Sequence, residues 1–158
     1  MGASKVLTRI VVLVGLPGSG KSTWAAQGAT LSSDAIRKLL ADDESDQTIH
    51  RRVFATLRSL LRQRLELGRP LTYIDATNLT PEERRPYVAI GRKFHAEVEA
   101  VYFDTPLEVC RARNAARERV VPEDALERMA AKLAPPTVAE GFARVTVVGA
   151  TPAAPRRG

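Results

Sequence analysis

Several features are scarce in this 158-residue chain, and each scarcity excludes something. There is one cysteine, Cys110, so no internal disulfide can form, and the composition suits a reducing, cytoplasmic setting. Cys110 itself reads as a small buried residue on a helix. There are two histidines, His50 and His95, and neither has a partner at a metal-ligating spacing. Both read as surface or helix-end residues. No apolar run reaches the roughly 18 residues of a membrane span, and the opening residues do not read as a signal peptide. The expectation is a cytoplasmic chain without a membrane segment. Internal repeats are absent. Acidic residues are outnumbered, 18 against 24 basic, for a net charge of +6. That surplus favours polyanionic partners such as nucleic acid, although arginine-rich helix faces also simply meet water.

Against this background one stretch carries most of the information. Gly15-Leu16-Pro17-Gly18-Ser19-Gly20-Lys21-Ser22 fits G-x-x-x-x-G-K-[ST], a phosphate-binding loop. It follows the apolar, β-branched run Arg9–Val14 and precedes Ser22–Gln27, a helix in character. Strand, loop and helix are the context that this motif requires. Glycines let the backbone curl so that its N–H groups point at phosphate oxygens. Gly15, Pro17, Gly18, Ser19, Gly20, Lys21, Ser22 and Thr23 are therefore the candidate ATP-binding residues. Lys21 would reach the β- and γ-phosphates, and the Ser22 hydroxyl would ligate Mg²⁺.

Strands and helices alternate along the rest. Ala29–Ser33, Leu71–Ile74, Glu97–Phe103 and Arg144–Val148 read as further strands. Helices are predicted over Asp34–Ala41, with Ser33 as N-cap, and over Thr48–Leu67, Pro81–His95, Pro106–Arg117 and Pro122–Leu133. Pro86 falls at a first-turn or kink position. In the long helix Val53, Phe54, Leu57, Leu60, Leu61 and Leu65 recur at helical spacing and should face the core. Arg51, Arg52, Arg58, Arg62 and Arg64 would be its wet side. The fold class is α/β, a five-stranded, mostly parallel sheet flanked by helices. Residues 1–150 form one domain, with a lid over about 106–133, and 151–158 a disordered tail. In such sheets ligands bind beyond the carboxyl ends of the strands. The phosphate loop, Asp34, Asp75 and Asp104 all fall at such ends and should converge on one cleft.

Asp75 closes the strand Leu71–Ile74, the Walker-B pattern, and is a candidate metal residue beside Ser22, acting through water. A turn-forming aspartate is the plainer alternative, since Thr77 and Asn78 follow. Asp34 and Arg37 lie three apart at a helix start and share a face. There an acid could take a proton from a hydroxyl while the arginine holds an anion, or the pair could be a favourable first-turn acid and a solvated arginine. Arg113 and Arg117, within a basic cluster with Arg111 and Arg119, are one turn apart. They could close over a triphosphate or form a solvated helix end.

Taken in order, these blocks resemble the kinase domain of polynucleotide 5′-hydroxyl kinases of phage and bacterial end-repair systems, within the P-loop kinases. The resemblance runs over about 10–133. It rests on the phosphate loop through Ala25, Ser33-Asp-Ala-Ile-Arg37, Asp75-Ala-Thr-Asn-Leu79, Phe103-Asp-Thr-Pro106, Arg113-Asn-Ala-Ala-Arg117 and Val121-Pro122. It implies Asp34 as general base for the 5′-hydroxyl and Arg37 on the adjacent acceptor phosphate. It implies Arg113 and Arg117 as lid residues on the phosphates of ATP or another NTP, and Val121 against the terminal nucleotide. Asp34, Lys21 and Arg117 are then the catalytic set, and Asp34, Arg37 and Val121 the acceptor set. The segment between Arg117 and Pro122 is shorter than in the family, and the Asp-x-Asp-x-Thr phosphatase motif is absent. The chain would be the kinase part alone, cut from a larger protein or acting with separate phosphatase or ligase partners on RNA or DNA 5′-OH ends. A homo-oligomer stays open. The alternatives are a small-metabolite kinase of gluconate or shikimate type or a sugar-nucleotide kinase, and an ATP-dependent binding module with no acceptor chemistry.

Overall fold

A computed structural model describes residues 7–25, 27–117 and 120–149. The expected tail at 151–158 and Arg119 lie outside the described residues. Five strands form the sheet: β1 (Arg9–Val14), β2 (Thr30–Ser32), β3 (Leu71–Asp75), β4 (Glu97–Asp104) and β5 (Arg144–Gly149). Six helices connect and cover them: α1 (Lys21–Ala25), α2 (Ser33–Ala41), α3 (His50–Glu66), α4 (Pro81–Phe94), α5 (Leu107–Ala115) and α6 (Glu123–Lys132). Short 3₁₀ turns at Gln47–Ile49 and Val138–Glu140 complete the path. The strand order is β2-β3-β1-β4-β5, and every pairing is parallel. The mostly parallel expectation is thus wholly parallel in the described sheet.

β1 is the middle strand of the sheet and is apolar on both faces. Ile10, Val12 and Val14 point to one side, where they meet Val53, Leu57 and Leu61 of α3 and Tyr87 and Val88 of α4. Val11 and Leu13 point to the other and pack with Tyr73, Val101, Phe103 and Ala25. This period-two split is what a strand buried on both faces demands. Trp24 meets Phe103 edge-on with ring centroids 6.0 Å apart. A third cluster joins Leu16 of the phosphate loop and Leu79 to Cys110 of α5 and Leu126 of α6, so α5 and α6 are seated on the loop they flank.

Several boundaries differ from expectation. Ser32, not Ser33, caps α2, its hydroxyl accepting from the Ala35 N–H, so the helix starts one residue early. α5 stops at Ala115, where the chain turns, so Arg117 is not on its face. Pro86 sits in the second turn of α4. On α3, Leu60 is exposed and Phe54 only partly buried, while Arg64 is drawn inward to Thr72 Oγ1 and the Leu71 carbonyl, both at 2.9 Å.

Two arginine–glutamate clamps hold the frame. Arg84, fully buried, makes a bidentate pair with Glu140 at 2.8 and 2.9 Å and donates to the Asn78 carbonyl at 2.8 Å. At the opposite end of the sheet Glu99 accepts from Arg9 at 3.0 and 3.1 Å and from Arg144 at 3.2 Å, tying β1, β4 and β5 together. The hydrogen bond from Arg9, against the opposing push of burial, holds the Glu99 carboxyl below its usual range. A depressed carboxylate stabilises the fold above its unfolded pKa and loses that contribution as pH falls through the folded value. Glu99→Gln is expected to cost about 2 kcal/mol at neutral pH, with the difference from wild type shrinking below roughly pH 4. Urea unfolding at pH 7 and pH 3 measures both.

Candidate active site

The site lies where the chain reverses direction across the sheet. From β1 it crosses outward to β2; from β3 it crosses back over β1 to β4. Such a switch point opens a crevice at the strand ends. Register puts Leu13 of β1, Asp75 of β3 and Ser32 of β2 in one row, so the phosphate loop, Asp75 and Asp34 emerge side by side. A cleft of about 1050 Å³ opens there.

Its floor is the loop. Gly18 and Gly20 take φ of +84° and +108°, which side-chain-bearing residues rarely adopt. A Cβ on Gly18 would also stand 2.7 Å from the Cys110 carbonyl, so the loop closes against α5 only because that atom is missing. Lys21 is buried, and its ammonium donates to the Gly15 and Leu16 carbonyls at 3.0 and 3.1 Å. Burial pushes its pKa down, and Asp75 and Asp34 push it back up. Burial pushes the Asp75 carboxyl up from its usual range, while Lys21 and Arg117 pull it down and Asp34 adds to the rise. Lys21, Asp75, Asp34 and Arg117 thus stand close enough for each charge to act on the others, with Lys21 buried and the Asp34 side chain 45% exposed.

Asp34 and Arg37 form the second wall. Asp34 stands in the first turn of α2, where an acid is favoured. Arg37 is only 4% exposed and donates to Asp34 Oδ1 at 3.3 Å. Its buried Nε makes no hydrogen bond among the described residues. A desolvated guanidinium with a donor to spare is a strong place to hold an anion.

α5, the turn that follows it, and α6 with the residues before it from 120 form the remaining side. Arg113 is exposed and donates to the Gly18 carbonyl at 3.3 Å. Arg117 follows in the turn after α5, and both line the cleft. Val121 lines it too, held from behind by Asn114, whose side chain donates to the Val121 carbonyl at 2.7 Å and accepts from its N–H at 2.9 Å. Asn114 is a residue that the motifs did not mark. Its signal is its place between the two arginines, a buried amide inside a basic run.

One cavity thus gathers most of the candidate residues: Pro17, Gly18, Gly20, Lys21, Ser22, Thr23, Asp34, Arg37, Asp75, Arg113, Arg117 and Val121 line it, while Gly15 and the buried Ser19 do not. Asp104 does not belong. It is exposed, accepts from the Tyr102 hydroxyl at 3.4 Å, and lies outside the cleft, because the chain turns away through Thr105. Gln47 and His50 line the cleft unannounced by any motif. His50 is a helix-start residue as expected, yet it faces the site.

A family model described as an AAA domain matches residues 10–136. The chain belongs to this family. The chain is 29% identical over 145 residues to the bifunctional polynucleotide phosphatase/kinase of Schizosaccharomyces pombe, covering 88% of this chain and 33% of that protein. It therefore spans about a third of the curated relative's length. A chain of the Pnkp1/Rnl/Hen1 RNA repair complex shares its fold, with a TM-score of 0.70 at 23% identity over 84% of this chain and 46% of that one. A Janibacter sugar kinase does so with a TM-score of 0.64 at 22% identity over 90% and 85%. The fold is that of P-loop kinases, and kinase relatives support a phosphotransferase.

Proposed function

We propose that this chain is a polynucleotide 5′-hydroxyl kinase domain, with residues 106–133 as its arginine-bearing lid. The observation that carries the reading is the buried Arg37 guanidinium bonded to Asp34 in the same cleft as Lys21. A base and an anion holder standing together fit an acceptor whose hydroxyl lies next to a phosphate. Most sugars lack that second group. Similarity to the polynucleotide phosphatase/kinase supports the same choice.

In this mechanism the triphosphate of ATP lies along the loop, with Lys21 turned from its carbonyls onto the β- and γ-phosphates. Arg37 fixes the acceptor's first phosphate, and Val121 packs against the terminal nucleoside. Asp34 takes the proton of the 5′-hydroxyl as its oxygen attacks the γ-phosphorus in line. The bond to the β–γ bridging oxygen breaks and ADP leaves with that electron pair. Arg113 and Arg117 neutralise charge on the equatorial and leaving oxygens. Ser22 and Asp75 suit Mg²⁺: one hydroxyl and one carboxylate match a cation that keeps most of its water and takes the rest from phosphate. Bound there, the ion would offset charge on the β- and γ-oxygens.

The test is transfer of label from γ-labelled ATP to oligonucleotides with 5′-hydroxyl and 5′-phosphate ends. Only the former should accept. Lys21→Ala should lower transfer by about 10²–10³-fold or more, the cost of losing a fixed charge at the transition state. Near-normal turnover by a folded Lys21→Ala protein would remove the loop from the chemistry. Transfer to a sugar or sugar acid instead would favour the metabolite-kinase reading, whose fold this chain shares.

A further inference from the structure

The acceptor wall does not end at Arg37. A second cavity, about 650 Å³, runs on from the cleft between the starts of α3 and α4 and the body of α6. The two share His50, Phe54, Thr77, Ala125, Arg128 and Met129, so they form one continuous groove. At the junction His50 and Phe54 lie ring against ring, with centroids 4.8 Å apart. Burial, helped by the nearby Arg37 charge, pushes the His50 imidazole down from its usual pKa, so its ring is neutral at neutral pH. Beyond this pair the lining is apolar and basic together. Pro86 and Met129 give the surface, and Arg51, Arg58, Arg128 and Lys132 give the charge.

Not all of that charge is available. Lys132 pairs with Glu83 at 3.3 Å, and Arg128 pairs with Asp124 at 2.9 Å. Glu82 also lines the groove. Arg51 and Arg58 have no carboxylate partner among the described residues, and they stand one helix face apart from the core positions Val53 and Leu57. Unneutralised arginines beside aromatic rings, here the exposed His50 and the half-buried Phe54, are the pairing that single-stranded nucleic acid uses, phosphate on cation and base on ring. A small acceptor would fill the first cleft and leave this extension without purpose.

We infer that this second groove is the track of the acceptor strand beyond its first phosphate, with Arg51 and Arg58 on the following phosphates and the His50–Phe54 pair against a base. The inference rests on the polynucleotide-kinase reading and extends it: recognition reaches past the terminal nucleotide and depends on acceptor length.

The experiment compares a nucleoside 3′-monophosphate with an unstructured 5′-hydroxyl hexanucleotide, in wild type and in the double variant Arg51→Gln/Arg58→Gln. Wild type should show a KM about tenfold lower for the hexanucleotide, a gain on the scale of one stacked base. The double variant should lose most of that gain while its kcat and its KM for the monophosphate stay within about twofold. Its dependence of log KM on log salt for the hexanucleotide should be shallower by about 1.4, two phosphate contacts on a single strand. An unchanged melting temperature shows that the variant is folded. A wild-type KM indifferent to length overturns the track alone, and is the result expected if a protein segment covers the groove. A double variant that leaves the hexanucleotide KM unchanged, or harms both acceptors equally, overturns it too. If wild type phosphorylates neither acceptor, the kinase reading falls and the track falls with it.

Discussion

Arg117→Ala should lower kcat by about 10³-fold or more, within the roughly 10³–10⁵ range that arginines acting on a transferring phosphoryl group supply. The position explains why. Arg117 lies in the turn after α5, lines the cleft, and perturbs both Lys21 and Asp75 electrostatically. Its backbone is fixed by the turn, where its N–H donates to the Asn114 carbonyl at 3.2 Å. Asn114 also grips Val121 with its side-chain amide, so one buried residue fixes the turn at Arg117 through its main-chain carbonyl and Val121 through its side chain. Arg117→Lys should recover little, because an ammonium cannot give two parallel bonds to phosphate oxygens. Arg113 should matter less: it is exposed, and its guanidinium already donates to Gly18. Steady-state kinetics of the three variants, with ATP binding measured separately, decides the matter. Full activity for Arg117→Ala would take this residue out of the site.

The inner strands β1, β3 and β4 were legible because burial leaves a strong signature in them. Arg9–Val14 is apolar throughout since both its faces are covered, and its observed bounds are those read from the sequence. The phosphate loop was legible because its glycines answer a backbone demand that few other sequences meet. Helix ends were less so. Ser32 and Ser33 are equal as caps on paper, and only the path out of β2 chooses Ser32. Arg113 and Arg117 look like helical neighbours until the chain turns at Ala116, where the Asn114–Val121 clamp replaces helical bonding. Asp104 carried the same strand-end signal as Asp75, but it sits near the sheet edge formed by β5, away from the crevice between β1 and β3. His50 and Phe54 gave no motif, because a groove wall is made by three separated helices and shows no local spacing.

Asp34→Asn should reduce kcat by about 10²–10⁴-fold, the range of a positioned general base, while ATP binding holds. The amide keeps the size of the carboxylate and can still accept from Arg37, so the loss isolates proton transfer from packing. Arg37→Ala should behave differently. Its guanidinium holds a phosphate in this mechanism, so KM should rise for a nucleoside 3′-monophosphate and for an oligonucleotide, and much less for a free nucleoside. The difference between acceptors is the informative quantity, since a general defect would lower all three. Because Arg37 is buried beside the core residue Ile36, the variant needs a melting curve, and Arg37→Met gives a version that keeps the packing without the charge. The decisive comparison is transfer to all three acceptors by wild type, Asp34→Asn and Arg37→Met. Equal losses across acceptors for Arg37→Met would deny it a role in holding phosphate. Undiminished kcat for Asp34→Asn would move the base elsewhere. With both outcomes as expected, the 3.3 Å contact between these two side chains joins proton removal to acceptor recognition. The hydroxyl would then be activated only when the phosphate beside it is in place.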